Sequence, residues 1–255
     1  MAIDQDVLVV GGGLAGTTAA LAAAETGAHV RLVAAAQSTL RQASGLIDLL
    51  GYTPSGEGPL AEPYAVIPDL PATHPYRRLG RAGIEDAFDA FDDVVGDAYA
   101  GDHTTSNALV PTHGGLVKPT ARYPRSTAAG LASDDRDALL VGFDRLPQFD
   151  APLAAETLEA SGVPFDARGV TIEFPVDLGA DPTVTRFARL LDRDAPVADA
   201  DVDLRSALAG RVAGHLDDEG RVGFPAVLGK TSPHDVRTSL AAHLGVDVFE
   251  APMGP

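Results

Sequence analysis

Three glycines near the start of the chain have the spacing of a phosphate-binding turn. Gly11, Gly13 and Gly16 form G-x-G-x-x-G directly after a short apolar run. In such a turn the first glycine permits a tight bend, the second lets a phosphate approach the backbone, and the third lets the next helix lie close to the sheet. The amide groups and dipole at that helix start favour an anion. The pattern predicts a nucleotide site with contacts at Gly11, Gly12, Gly13, Leu14, Ala15 and Gly16.

The segments around these glycines have the pattern of a β–α–β unit. Residues 6–10 form a short, mostly apolar run with β-branched residues, as a buried parallel strand requires. The alanine-rich run 14–26 ends at Gly27, a residue type common just after a helix, and residues 29–33 supply a second strand. We therefore predict strand, turn, helix and strand over 6–33. The alternative is a glycine-rich turn in an ordinary α/β domain.

The second strand lacks an acid that nucleotide-binding units usually carry. An Asp or Glu at this place binds the ribose of adenosine, whereas here Val33 is followed by three alanines and no acid occurs before Asp48. The absence argues against ordinary ribose recognition in NAD or FAD. It is compatible with FMN, which has no adenosine, or with a ribose held by backbone. Further cofactor contacts are predicted at Gln37, Ser38, Ser44 and Gly45.

Acids are absent from three windows of an otherwise acidic chain. The chain has 36 acids and 19 bases, a net charge of −17, yet residues 26–47, 70–84 and 103–133 contain no Asp or Glu. We interpret these windows as walls of a site for phosphate groups. The alternative is that they are buried or face a partner, where acids are excluded in any case. The predicted anion ligands are Arg41, Lys118, Arg122 and Arg125.

Two histidines are candidates for a catalytic base. His74 in HPYRR and His113 in PTHGG carry imidazoles, which titrate close to neutral pH. The alternative for each is a loop histidine with a structural hydrogen bond. No residue is assigned as catalytic beyond these two. The seven histidines are scattered, so the sequence gives no signal for a metal site.

Composition excludes several function classes. The absence of cysteine excludes disulfides, thiol catalysis and a Cys-ligated cluster in this chain. The acidic charge argues against nucleic acid or anionic lipid as direct partners, and with only two lysines it predicts a cytoplasm of very high salt. Apolar runs of strand length predict no transmembrane helix. The first strand starts within six residues, which leaves no room for a signal peptide.

The whole chain predicts an α/β fold in two parts. A Rossmann-like FAD/FMN-binding domain is expected over 1–162, with a β-meander at about 104–127, and an inserted α+β substrate or cap domain over 163–255. Strand 138–143 and helix 149–161 are expected to extend the first sheet. The chain ends directly after a strand, which predicts truncation at the C-terminus. Smaller expected elements are a short helix starting within 47–50 and an amphipathic helix from Gly83.

Several segments together resemble one family. In chain order they read VLVVGGGLAGTTAAL, QSTLRQASGLIDLLG, ATHPYRRL, LVGFDRLPQFDAPLAAETL and VFEAPMGP. They are similar to the B subunit of anaerobic glycerol-3-phosphate dehydrogenase. The glycine motif is generic, whereas ASGLIDLLG and VGFDRLPQFDAPLAA are much more specific. The resemblance covers most of the chain.

The resemblance implies an activity, a cofactor and partners. Members are flavoproteins with FMN assigned and FAD as the alternative, and they act with a flavoprotein A subunit and a membrane-attached iron–sulfur C subunit. Their complex oxidises glycerol 3-phosphate to glycerone phosphate and passes electrons to quinone in anaerobic respiration. The implied location is cytoplasmic, peripheral to the inner face of the cell membrane. Two alternatives stay open: a non-catalytic scaffold between the A and C subunits, and an unrelated flavin-dependent oxidoreductase.

Overall fold

The chain forms two compact units. The computed structural model describes residues 4–36, 38, 40, 43–180, 182–198 and 201–253. One unit comprises residues 1–45 with 254–255, and the other comprises residues 46–253. Within the described residues, no helix is both long and apolar enough to cross a membrane.

The first unit is a single β–α–β element. Strand β1 (Val7–Val10) leads to helix α1 (Leu14–Glu25) and strand β2 (Val30–Val33), and the two strands pair in parallel. The predicted order of strand, turn, helix and strand is confirmed. Leu8 is 61% and Val10 78% exposed, and no residue of α1 is buried. The unit therefore presents an apolar surface instead of enclosing a core.

The second unit begins with a segment that pairs as a strand. Ile47 forms an antiparallel bridge with Arg122, in which the Ile47 amide donates to the Arg122 carbonyl at 2.8 Å. Leu49 is buried beside this bridge. The helix predicted to start within 47–50 is therefore wrong, because these backbone groups bond to a distant part of the chain instead of to their neighbours.

Two helices follow. Helix α2 (Pro63–Val66) is one turn long, and helix α3 (Pro75–Val95) contains a break at Gly80, whose φ of 72° is not helical. The amphipathic helix predicted from Gly83 is confirmed, although α3 starts earlier. Its apolar face packs through Ile84, which is buried.

Short antiparallel strands come next. They are β3 (Tyr99–Ala100), β4 (Ala108–Pro111), β5 (Val117–Thr120) and β6 (Tyr123–Pro124). β4 pairs only with β5, and β3 only with β6, among the described strands. The predicted β-meander is therefore two separate pairs. Prolines in β4, β5 and β6 lack the amide needed to bond to a further strand.

A parallel sheet of four strands forms the centre of the second unit. The elements that build it are, in chain order, β7 (Ala138–Phe143), α4 (Ala151–Ala160), β8 (Ala167–Ile172), α5 (Val184–Arg193), α6 (Leu204–Ala213), β9 (Arg221–Pro225), α7 (Pro233–Leu244) and β10 (Asp247–Ala251). The strand order is β10-β9-β7-β8. The prediction that β7 extends the sheet of β1 and β2 is wrong, since β7 pairs with β8 and β9.

The predicted domain boundary at 162/163 falls between two paired strands. β7 precedes it, β8 follows it, and they pair along the full length of both. The chain forms its compact division at 45/46 instead. The division of the chain into a flavin-binding part and a cap part stays a prediction.

The sheet separates two apolar cores. Alternate residues of a strand face opposite sides, so Val141 and Phe143 join one core and Leu140 joins the other. The first core includes a cluster of aromatic rings in which Phe143 stacks on Phe187 at 5.3 Å between centroids. Helices α5, α6 and α7 contribute to that core, and α4 contributes to the other.

One arginine is fully buried at the start of β9. Arg221 is 0% exposed, and its guanidinium donates to the backbone carbonyls of Ala129, Leu131, Asp134 and Arg136. It also lies 4.2 Å above the ring of Phe165. All of its acceptors lie in the loop before β7, so this side chain fixes that loop to the sheet.

Candidate functional site

The glycine turn joins β1 to α1. Gly11 has φ of +120°, a backbone conformation that favours glycine, and its amide donates to the carbonyl of Val33 at 2.8 Å. A Cβ on Gly16 would collide with the carbonyl oxygen of Gly11. A Cβ on Gly13 would meet no atom within 4 Å. Gly11 and Gly16 therefore have the turn and packing roles that their spacing predicts, and the approach of a phosphate to Gly13 stays a prediction.

The start of α1 presents a row of open amides. The amide of Thr17 donates to the carbonyl of Gly13 at 2.9 Å. The amides of residues 12–16 have no acceptor among the described residues. The helix has no capping side chain and no acid in its first turn. The row and the positive end of the helix dipole form a site for an anionic group.

The end of β2 lies beside this row. A Cβ on Gly12 would lie 3.3 Å from the Cβ of Ala34. Residues 33–36 are exposed and carry no polar side chain. At the place where an acid would meet an adenosine ribose, this chain therefore offers only backbone and methyl groups.

The other predicted cofactor contacts follow β2. Ser38 accepts a hydrogen bond on its hydroxyl oxygen from the amide of Leu40 at 3.1 Å. Ser44 has contacts of its own within the protein, and Gly45 has φ of +80°. Two predicted ligands, Gln37 and Arg41, lie outside the described residues. The involvement of all these residues with a cofactor stays a prediction.

The predicted anion ligands of the second unit bind groups of the chain itself. The Nζ of Lys118 lies 2.8 Å from a carboxylate oxygen of Asp48. Arg122 is buried, its Nε and Nη2 donate to the carboxylate of Asp92 at 2.9–3.0 Å, and its guanidinium lies 4.6 Å above the ring of Phe88. These contacts neutralise both charges inside the protein.

Arg125 is held by backbone. Its Nε donates to the carbonyl of Asp97 at 2.7 Å, and its Nη2 donates to the carbonyl of Tyr99 at 3.0 Å. The Asp97 carboxylate is 4.0 Å away. This guanidinium therefore fixes the turn before β3 and keeps donors exposed to solvent, since its side chain is 48% accessible.

The two candidate bases differ in their surroundings. His74 caps α3, where its Nδ1 accepts from the amide of Tyr76 at 3.2 Å, so that nitrogen has a structural partner. His113 donates its backbone amide to the carbonyl of Pro252 at 3.1 Å, and its Nδ1 is buried without a partner among the described residues. No hydrogen bond between described residues joins the two side chains.

A polar cavity in the second unit is lined in part by Arg122, one of the predicted anion ligands. It has a volume of about 540 Å³, and its walls include the carboxylates of Glu85, Asp89 and Asp102 together with the ring of Tyr64. Burial raises the pKa of the Tyr64 hydroxyl. The polar run DHTTS at 102–106 forms one wall. Residues 103–106 and Arg122 belong to the acid-free window 103–133, but the three carboxylates in the walls disfavour an anion here.

No metal centre is present in the part of the chain that the structure describes. No group of three or more His, Asp or Glu side chains there has an arrangement suited to an ion. The glycine turn is therefore the feature that combines a sequence motif with a matching geometry.

Comparison with known proteins gives consistent names. The chain is 61% identical over 257 residues to a protein of Halobacterium salinarum strain R1 that is named as the probable B subunit of anaerobic glycerol-3-phosphate dehydrogenase. It is 29% identical over 265 residues to the protein of Pectobacterium atrosepticum that is named as the B subunit of the same enzyme. These matches cover 100% and 98% of the chain, but in each case 60% of the relative. The resemblance predicted from the sequence is confirmed.

A shorter match and two further findings complete the comparison. The corresponding B subunit of Aliivibrio fischeri strain MJ11 is 40% identical over 87 residues, which cover 33% of the chain and 19% of that protein. No solved structure gives a significant match. The family model described as FAD binding domain matches residues 6–255. The chain therefore belongs to the FAD binding domain family.

Proposed function

We propose that this protein is a flavin-binding subunit of an anaerobic glycerol-3-phosphate dehydrogenase. The row of open amides at residues 12–16 carries the proposal, because it offers an anion site within a chain of the FAD binding domain family. The names of the relatives supply the reaction. The chain spans 60% of the length of these two relatives, so activity, substrate and partners all belong to the proposal.

The residues present fit a flavin phosphate. The amides of residues 12–16 point to no internal acceptor, and the space beside Gly13 is open to a ligand. When bound, the flavin supplies an acceptor for the hydride of a carbinol carbon. The backbone amides of the chain would hold the phosphate. The end of the second strand, at Ala34, carries no acid that could contact an adenosine ribose. This absence supports FMN in preference to FAD.

The wider assignment follows from the same resemblance. We propose oxidation of glycerol 3-phosphate to glycerone phosphate, with electrons passed to quinone through a flavoprotein A subunit and a membrane-attached iron–sulfur C subunit. The protein would then be cytoplasmic and peripheral to the inner face of the membrane. A base must take the hydroxyl proton, and His113, whose buried Nδ1 has no partner among the described residues, is a better candidate than His74, whose Nδ1 caps a helix.

A second candidate function is a non-catalytic scaffold that joins the A and C subunits. One observation favours it. Lys118 and Arg122 pair with Asp48 and Asp92, and Arg125 donates to backbone carbonyls, so these predicted phosphate ligands have structural partners. A scaffold needs the fold and its partner surfaces but no substrate phosphate site.

Flavin titration of the purified protein tests the main proposal. Quenching of flavin fluorescence is measured with FMN and with FAD for the wild type, Gly13→Val and Gly114→Val. Both glycines have open space where the side chain would extend, so both variants should fold. We expect binding of FMN by the wild type and by Gly114→Val, and a loss of about tenfold or more in Gly13→Val because its side chain blocks the approach to the amides.

The outcomes separate the candidates. Tighter binding of FAD than of FMN would contradict the cofactor assignment. Equal binding by wild type and Gly13→Val would contradict the site. A protein that binds neither flavin, yet forms a stable complex with the A subunit, would support the scaffold.

A further inference from the structure

Three arginines form a stripe along one face of α5. Arg186, Arg189 and Arg193 are separated by three and four residues, which places them on one side of a helix. The opposite side carries Phe187 and Leu191, which are fully buried. The arginine stripe is therefore a fixed, exposed surface on a helix anchored in the core.

The arginine stripe has no negative partner in the described part of the chain. Most arginines of the second unit pair with an acid, as Arg122 does with Asp92 and Arg168 with Glu219. None of the three stripe arginines makes an ion pair or hydrogen bond there through its side chain. In a chain with 36 acids and 19 bases, three arginines on one helix face without a carboxylate partner in the described ranges are unexpected.

Two acids at the C-terminal end of the stripe, Asp192 and Asp194, are already bound. Asp192 accepts hydrogen bonds from the backbone amides of Lys230, Thr231 and Ser232, at 2.9–3.0 Å. Asp194 accepts from the amide of Arg205 at 2.8 Å and lies 3.6 Å from its Nε. These carboxylates serve other groups, so they do not neutralise the stripe.

The start of α5 adds to the positive charge. Arg186 is the third residue of the helix, where the helix dipole is positive and a cation is disfavoured. The first turn contains no acid, and the Thr183 side chain does not cap the helix. Thr185 and Thr183 are both exposed, and neither hydroxyl bonds to another described residue. An external anion at this place would offset the charge and receive hydroxyl hydrogen bonds.

A cavity lies over the arginine stripe. Its volume is about 330 Å³, and its walls are Leu178, Thr183, Thr185, Arg186, Arg189, Leu190 and Arg193. Among the described residues, these walls contain no carboxylate. The other cavities described in this unit contain at least three acids each, for example Asp144, Glu173 and Asp177 in one of about 300 Å³.

We propose that this cavity binds a small molecule that carries a phosphate group. Guanidinium forks match the oxygen geometry of phosphate, and two neighbouring arginines hold one phosphate by paired hydrogen bonds. The two threonine hydroxyls supply further donors beside Arg186. The leucines at the edges give apolar contact for the rest of a small ligand. The site lies wholly in the second unit and does not depend on flavin binding at the glycine turn.

Calorimetric titration with inorganic phosphate tests this site. The full 255-residue chain is used. KCl keeps the ionic strength constant during the titration, because a change in salt concentration would alter the screening of the surface charges. The test variant is Arg186→Gln/Arg189→Gln. Its matched control is Arg77→Gln/Arg78→Gln, which removes two exposed arginines of α3 that make no ion pair or side-chain hydrogen bond among the described residues.

We expect the wild type to bind phosphate and the test variant to bind it about tenfold or more weakly. The control should bind within about twofold of the wild type, since it removes the same net charge from a different place. The test side chains make no bonds to other described residues, so the variant should keep the wild-type unfolding midpoint. Equal phosphate affinity in wild type and test variant would overturn the proposal. Absence of binding by the wild type, or equal loss in the control, would also overturn it.

Discussion

The Cβ that Gly16 lacks would collide with the carbonyl oxygen of Gly11. The carbonyl carbon of Gly11 would lie 2.9 Å from such a Cβ, and a side-chain carbon of Val9 would lie 3.6 Å away. The helix thus lies directly on the turn and on the strand before it. This contact sets the direction of the amides that form the candidate anion site.

Replacement of Gly16 by alanine should loosen the first unit selectively. The added methyl group has no space, and overpacking of this kind costs about 1–3 kcal/mol. We expect faster hydrogen exchange of the amides in β1 and α1 and unchanged exchange in β7–β10, measured by mass spectrometry. Gly13→Ala is the control, because its methyl group would enter open space. Unchanged exchange in Gly16→Ala would refute the close contact.

Replacement of Arg221 should destabilise the second unit strongly. Arg221→Met keeps much of the side-chain volume but leaves the four carbonyl oxygens without their donor, at about 1–3 kcal/mol for each unsatisfied buried group before relaxation. We expect a loss of at least about 3 kcal/mol in urea unfolding. Arg221→Lys should recover only part of it, since an ammonium cannot reproduce the fork. A loss below about 1 kcal/mol would show that water replaces the bonds.

Asp134 should make the stability of the second unit depend on pH. Hydrogen bonds from Arg136 are the main reason why the pKa of this carboxyl falls from 3.8 to about 2. The positive charge of Arg221 lowers the pKa further, whereas burial raises it. Because the pKa is lower in the folded state, the ionised carboxylate stabilises the fold at pH values above 3.8. This stabilisation is lost as the pH falls toward 2.

Urea unfolding of the wild type and Asp134→Asn checks this sign. The wild type should be the more stable protein at pH of about 6, and the difference should narrow as the pH falls below about 4. A difference that stays constant down to pH of about 3 would mean that the carboxylate acts through shape and not through charge.

Concentrated salt should stabilise the protein through its acidic surface. Helix α3 alone exposes Asp86, Asp89 and Asp93, and the chain carries a net charge of −17. Screening removes the repulsion between such groups. We expect a higher melting temperature in molar KCl than in dilute buffer, measured by circular dichroism. The variant Asp86→Asn/Asp89→Asn/Asp93→Asn should gain less from salt, and an equal gain in both proteins would contradict this role of α3.

Local sequence patterns predict a helix, strand or turn correctly where the interactions that determine its backbone lie within that element. The G-x-G-x-x-G spacing predicts the turn between β1 and α1, and the apolar run 138–143 predicts β7 with its correct bounds. Asp150 is a natural capping residue for α4, and its side chain accepts from the amide of Leu153 at 3.1 Å. In each case the deciding interactions lie within a few residues.

Long-range partners could not be predicted in the same way. The window around Lys118 and Arg122 contains no acids, which predicts phosphate ligands, yet Asp48 and Asp92 reach them from elsewhere in the chain. The pairing of Ile47 with Arg122 likewise overrides the local pattern at residue 47. The arginine stripe is detectable from its helical spacing, but its lack of partners becomes apparent only when the folded neighbours are known.

The strand order β10-β9-β7-β8 also constrains the sequence of events during synthesis. β7, α4 and β8 are close in the chain, so they can associate as soon as residue 172 has left the ribosome. The far edge of β7 then stays open until β9 is made, because α5 and α6 intervene. All six residues of β7 are buried in the final fold, so until β9 is made this edge exposes apolar residues and unpaired backbone groups that can pair wrongly. The time between the synthesis of β8 and that of β9 is therefore a period in which wrong pairing at this edge competes with folding.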